Sequence, residues 1–114
     1  MKPFVLFVVT SDPRNTPRPV EALRIAVGTA AWRRVDVALY LGGSAVLTVA
    51  ENVDELVDAD NLARYRPLLK DLTRPVYIDA ECRSCLTDTS VAIEALDKRG
   101  LARLAAQSTY LLRF

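Results

Sequence analysis

The chain has 114 residues, enough for one domain whose core needs no disulfide or metal to hold it. Hydrophobic residues make up 51% and charged residues 25%, the balance of an ordinary globular domain and not of a disordered chain. Fifteen basic residues against 14 acidic ones leave a formal charge of +1, with the signs interspersed, so neither a nucleic-acid surface nor a membrane-binding patch is expected.

The first apolar stretch, "FVLFVV" (Phe4–Val9), is hydrophobic at every position, as a parallel strand covered on both faces requires. It is too short for a signal peptide and far short of the ~20 apolar residues of a membrane span. A buried first strand in a cytoplasmic protein is the expectation. The polar, proline-rich loop "SDPRNTPRP" follows, and then Val20, Leu23, Val27 and Ala30 recur at helical spacing. In "VDVALYL" (35–41), Val35, Val37, Leu39 and Leu41 alternate with Asp36, Ala38 and Tyr40, a pattern that suits an edge strand.

Gly42 and Gly43 turn the chain without the glycine spacing of a phosphate-binding loop. Ser44 is placed to cap a short helix reaching about Ala50. An acidic surface connection, "ENVDELVDAD", leads to the stripe Leu62, Tyr65, Leu68, Leu69 and Leu72, with Pro67 opening or kinking that helix. "PVYI" (75–78) reads as a short buried strand. "SVAIEAL" fits a strand or a helix equally well, Leu101, Leu104 and Ala105 mark a last helix, and "TYLLRF" alternates as a terminal strand. Trp32 and Tyr65 read as packing residues.

Strands separated by helices imply right-handed parallel βαβ units. The expected fold is a single-domain, three-layer, doubly wound α/β structure with a mostly parallel sheet of about five strands and helices on both faces. If the first strand is central and the second is its edge neighbour, the third strand must lie on the first strand's other side. The loops after strands one and three would then flank the ligand crevice of an open parallel sheet.

One of those loops carries the only two cysteines, Cys82 and Cys85, in "ECRSC". Two cysteines without any histidine cannot complete a four-ligand structural zinc site within one chain, so no metal or cofactor is expected. Three uses stay open. The pair can be a dithiol redox switch, although it lies late in the chain and not at the start of an early helix. One thiolate can carry sulfur as a persulfide, which needs an accessible, ionisable cysteine and no cofactor. Or both are incidental small hydrophobes. With no imidazole available, activation would fall to Arg83, to backbone N–H groups or to a partner, against the opposing charges of Asp79, Glu81 and Asp88. Across the expected crevice, Ser11, Asp12 and Arg14 on the first loop are candidate lining residues, alongside a plain solvated turn at Asp12-Pro13.

The order and spacing of these segments, with "LGGSAV", "PVYIDAECRSCL" and the closing "LARLAAQSTYLLRF", resemble the DsrE/DsrF-like proteins, the group that includes the TusB, TusC and TusD sulfur-relay subunits. The resemblance spans essentially the whole chain through short motifs. It implies persulfide transfer by the cysteine matching Cys82, with Cys85 as a resolving or assisting thiol. It also implies a cytoplasmic homo-oligomer, from dimer to hexamer, or assembly with a family paralogue, together with sulfur donor and acceptor proteins. Many members continue from this loop into an Arg-Gly pair, whereas this chain reads "LTDTSV". Some paralogues lack an active cysteine and serve only as assembly partners, so a scaffold role is the implied alternative.

Overall fold

Six consecutive apolar residues form β1 (Phe4–Val9), and all six are buried, because helices cover both faces of the sheet at this strand. The computed structural model describes residues 2–51, 55–86 and 89–114. After β1 come α1 (Arg18–Ala31), β2 (Asp36–Leu41) and a 3-10 helix over Gly43–Val49. Next, α2 (Ala59–Tyr65) runs into a 3-10 segment, Arg66–Asp71, and then β3 (Val76–Asp79) leads to a 3-10 turn over Ala80–Cys85. The chain closes with β4 (Ile93–Leu96), α3 (Lys98–Gln107) and β5 (Tyr110–Arg113).

Local chemistry sets most boundaries. Pro19 sits in the first turn of α1, where a missing N–H costs nothing. Past the end of α1, Arg33 takes a left-handed φ of 62°, and its N–H donates to the Ala30 carbonyl at 3.1 Å. At α3, Asp97 caps the helix by accepting the Gly100 N–H at 2.7 Å. Pro67 opens the 3-10 segment, so the Leu62–Leu72 stripe is an α-helix that tightens after Tyr65.

The five strands among the described residues are all parallel, in the order β4-β3-β2-β1-β5. One face buries Val5, Phe7, Val9, Val37, Leu39, Leu41, Val76 and Ile78 against Val20, Leu23, Ala26 and Leu62 of α1 and α2. The other packs Phe4, Leu6, Val8, Ala38, Tyr40 and Tyr77 under Leu104 of α3. The three-layer α/β arrangement with helices on both faces is therefore as expected, and the ambiguous "SVAIEAL" contributes a strand.

Four expectations are corrected. β2 is the central strand and not an edge strand, and β3 pairs with β2 and not with the far side of β1. The alternation at Asp36, Ala38 and Tyr40 misleads because only Asp36 is truly polar. It sits at the strand's first position and pairs with Arg74 at 3.0 Å, whereas Ala38 and Tyr40 are buried beneath α3's side of the sheet. Ser44 does not cap the 3-10 helix: Gly42 holds the capping position and no side chain accepts there. Trp32, expected to pack, is 65% exposed just past the end of α1, whereas Tyr65 does pack against the core. Part of the acidic connection, residues 52–54, lies outside the described residues.

Candidate functional site at the carboxyl end of β3

β3 is buried through Ile78 and surfaces at Asp79, whose extended backbone launches the cysteine turn. Asp79 Oδ1 accepts the Glu81 N–H at 3.0 Å, which caps the turn at its start, and the Leu86 N–H donates to the Arg83 carbonyl at 3.2 Å to close it. A 3-10 helix has three residues per turn, so Cys82 and Cys85 fall on one face, with Cα atoms about 6 Å apart, inside the span of a disulfide. Both cysteines are free thiols. Cys82 is half-buried against the core and Cys85 is exposed. The pair thus presents one anchored sulfur and one open sulfur at the carboxyl edge of the sheet.

The Cys82 Sγ–H points to Asp79 Oδ2 across 3.9 Å, a long contact for a thiol donor. Burial pushes the Cys82 thiol up, and the negative charge of Asp79 and the neighbouring Cys85 thiol push it further. The Gly43 N–H works in the opposite direction by donating toward the sulfur. The resting form of Cys82 at neutral pH is accordingly the thiol. Tyr40, on central β2, lies on the same sheet face as Tyr77, its partner in β3. Its phenol is raised by burial and then by the negative charges of Asp79, Cys82 and Glu81.

The expected lining residues are placed as follows. Ser11, Asp12 and Arg14 stand after β1, with β2 between their strand and β3, so the loops after β1 and β3 do not flank one crevice as expected, and the reversal of strand order falls between β1 and β5. The Arg14 guanidinium grips the Asp12 carboxylate, Nε to Oδ1 at 3.0 Å and Nη2 to Oδ2 at 2.7 Å. That bond holds the Asp12 carboxyl below its ordinary range and commits Arg14 to its own loop. Ser11 Oγ is enclosed with no hydrogen-bond partner among the described residues. Arg83 is exposed on the cysteine turn itself. Asp88, expected to oppose thiol ionisation, lies outside the described residues, as does Thr87.

The loop that does meet the thiols follows β2. Gly42 and Gly43 carry the chain off the sheet beside Cys82, and Gly43 has a left-handed φ of 57°. A methyl at Gly42 would stand 3.2 Å from Tyr40 Cε1 and 3.5 Å from Thr10 Cγ2, so the glycine permits a close approach. Nothing in the local sequence marks Tyr40, Gly42 or Gly43 as a site residue. Their nearness to Cys82 depends on which strand borders β3, and no local pattern carries that. Among the described residues no group of three or more His, Cys, Asp or Glu side chains converges as a metal cluster. A groove of about 690 Å³ lies at the opposite end of the sheet, lined by Val27, Val35, Leu68 and Leu72 among others.

Fold and site together define a three-layer α/β protein with an all-parallel, five-stranded sheet and a paired-thiol turn at its carboxyl edge. The chain is similar to a protein of known structure, the ychN protein from E. coli, whose crystal structure superposes with a TM-score of 0.79 at 18% identity, covering 100% of both chains. No family model matches the chain, and no curated protein matches it. At that identity the likeness establishes the fold from end to end. No helix among the described residues is long and apolar enough to cross a membrane.

Proposed function

We propose that this chain is a cytoplasmic sulfur carrier of the DsrE/DsrF-like type, loading a persulfide on Cys82 and working within an oligomer. The observation that carries the reading is the cysteine turn: a half-buried Cys82 beside an exposed Cys85 on one face of a 3-10 helix, at the carboxyl end of β3. The sequence resemblance and the fold shared with the ychN protein support it.

In the loading step the Cys82 thiolate attacks the terminal sulfur of a donor persulfide, R–S–SH. The donor S–S bond breaks, the donor leaves as its thiolate, and Cys82–S–SH remains with no net oxidation. Transfer repeats the step with an acceptor thiolate attacking the outer sulfur and Cys82 leaving. The thiolate form is disfavoured at rest by burial and by Asp79. Loading of the free protein is therefore slow at neutral pH, and a partner that brings positive charge to the turn or displaces Asp79 accelerates it.

Incubation with a polysulfide donor or a loaded desulfurase, followed by intact mass measurement, tests this. One or more added sulfur atoms should appear, persist in Cys85→Ser and disappear in Cys82→Ser. No adduct, or an adduct indifferent to Cys82→Ser, ends the proposal.

Two other readings each have a specific observation behind them. The stacked thiols suit a dithiol switch, which predicts loss of two hydrogens under mild oxidant with no retained sulfur. The raised Cys82 thiol suits a scaffold subunit with incidental cysteines, which predicts that Cys82 stays unlabelled until the protein is denatured and that no sulfur is retained on it.

A further inference from the structure

β5 is an edge strand without the features that normally protect one. Tyr110, Leu111 and Leu112 are consecutive and are 61%, 40% and 42% exposed. Edge strands are usually blunted by charge, proline, a bulge or a covering element. Here the only charge is Arg113, at the last position of the strand. The opposite edge, β4, carries Glu94 and the small Ala95 at its centre and half-buries Ile93 and Leu96. The two edges of one sheet are thus treated differently, and the apolar one also has an open row of backbone hydrogen-bonding groups.

We propose that β5 pairs antiparallel with β5 of a second copy of this chain, across a twofold axis that passes at Leu111. The axis must be perpendicular to the joined sheet, so opposing residues share a face and their numbers sum to an even value. Register with β1 places Tyr110 and Leu112 on the face of Val5 and Phe7, and Leu111 and Arg113 on the face of Leu6 and Val8. Centring on Leu111 sets Leu111 against its own symmetry mate and each Tyr110 against a Leu112. It also sets each Arg113 against a Thr109. Each of Tyr110, Leu111 and Leu112 then meets Tyr110, Leu111 or Leu112 of the second copy, and no like charges face each other. Centring on Leu112 instead would press Arg113 onto Leu111.

This deepens the oligomer part of the proposed function and rests on none of the sulfur chemistry. Three side chains per copy are fewer than a standard interface, so pairing through β5 alone belongs to the weak class, below ~1,200 Å². The association should be concentration-dependent. Because pairing consumes the edge, it stops at two copies unless another surface joins in.

Sedimentation of the full chain from ~10 µM to ~1 mM tests the proposal by mass action. The wild type should shift from monomer toward dimer, or toward an even-numbered assembly. Leu111→Lys, which places two ammonium groups on the axis, should halve the assembled mass with the far-UV circular dichroism unchanged. Register is tested in a Cys82→Ser/Cys85→Ser background. Opposed Cα atoms in an antiparallel pair are about 4.5–5.5 Å apart, within disulfide range. Leu111→Cys should therefore form a covalent dimer under mild oxidant at least tenfold faster than Leu112→Cys. A monomer throughout, an odd-numbered assembly, an assembly unchanged by Leu111→Lys, or equal cross-linking at 111 and 112 overturns the proposal. The sulfur-adduct assay reads independently of all four outcomes.

Discussion

Asp79 engages two groups with its two oxygens: Oδ1 accepts the Glu81 N–H at 3.0 Å, and Oδ2 stands 3.9 Å from Cys82 Sγ. The first contact shapes the cysteine turn. The second places negative charge next to the sulfur, adding to the burial that already disfavours its ionisation.

Asp79→Asn separates the two roles, because the amide oxygen still caps the turn while the charge is gone. In a Cys85→Ser background, the pH midpoint for alkylation of Cys82 by iodoacetamide should move to lower pH in Asp79→Asn. Reaction at neutral pH should be correspondingly faster. A midpoint that stays in place, with the turn intact by circular dichroism, would mean that burial alone holds the thiol protonated.

At the other end of the sheet, Asp36 accepts from Arg74 Nη2 at 3.0 Å and Nε at 3.2 Å, and from Thr73 Oγ1 at 2.9 Å. Burial by itself would raise its carboxyl, but these bonds outweigh it and the folded value is lowered. A carboxyl lowered on folding stabilises above its unfolded value and loses that contribution as pH falls through the folded one. Asp36→Asn should cost about 1 kcal/mol near neutral pH. The gap between variant and wild type in urea midpoints should close as pH falls below the ordinary carboxylate range, where Asp36 is protonated in the folded state too. A gap independent of pH would assign the loss to packing. Arg74 also lies 4.3 Å over the Phe4 ring, so Arg74→Ala should cost more than Asp36→Asn.

The two adjacent glycines at the end of β2 should respond differently to the same methyl group. Gly43 has φ 57° and nothing within 4 Å of an added Cβ, so Gly43→Ala is expected to lose about 1 kcal/mol through backbone strain alone. Gly42 has an ordinary extended backbone, and its added methyl would meet the Tyr40 ring at 3.2 Å. Gly42→Ala should therefore alter the near-UV circular dichroism of the tyrosines, and Gly43→Ala should leave it unchanged. The reverse pattern, or two indistinguishable spectra, would contradict the placement of Tyr40.

Much of the fold is legible residue by residue. The unbroken apolar run Phe4–Val9 has to be a strand covered on both faces, and Val20, Leu23, Val27 and Ala30 recur at the helical period, the first two buried and the last two half-buried against the same core. "SVAIEAL" is ambiguous because four strand residues are too few to display a period. It becomes β4 only through pairing Ile93–Leu96 with Val76–Asp79. Tyr40 and Ala38 mislead for a chemical reason: both side chains are compatible with water and with a core. Their burial is settled by α3, which comes some 60 residues later in the chain.

The cysteine turn shows the same division. That Cys82 and Cys85 would follow a strand end, on one short exposed segment, is readable from "PVYIDAECRSC". That Gly43 and Tyr40 are the sulfur's neighbours, and that Arg14 is held two strands away by Asp12, is not. Periodicity and composition act within a few residues and so determine the elements, their order and the α/β class. The order of strands in the sheet, the loop that meets the thiols and the bare edge at Tyr110–Leu112 arise from contacts between segments distant in the chain. Only the assembled layers, each burying the apolar face that another leaves open, decide those.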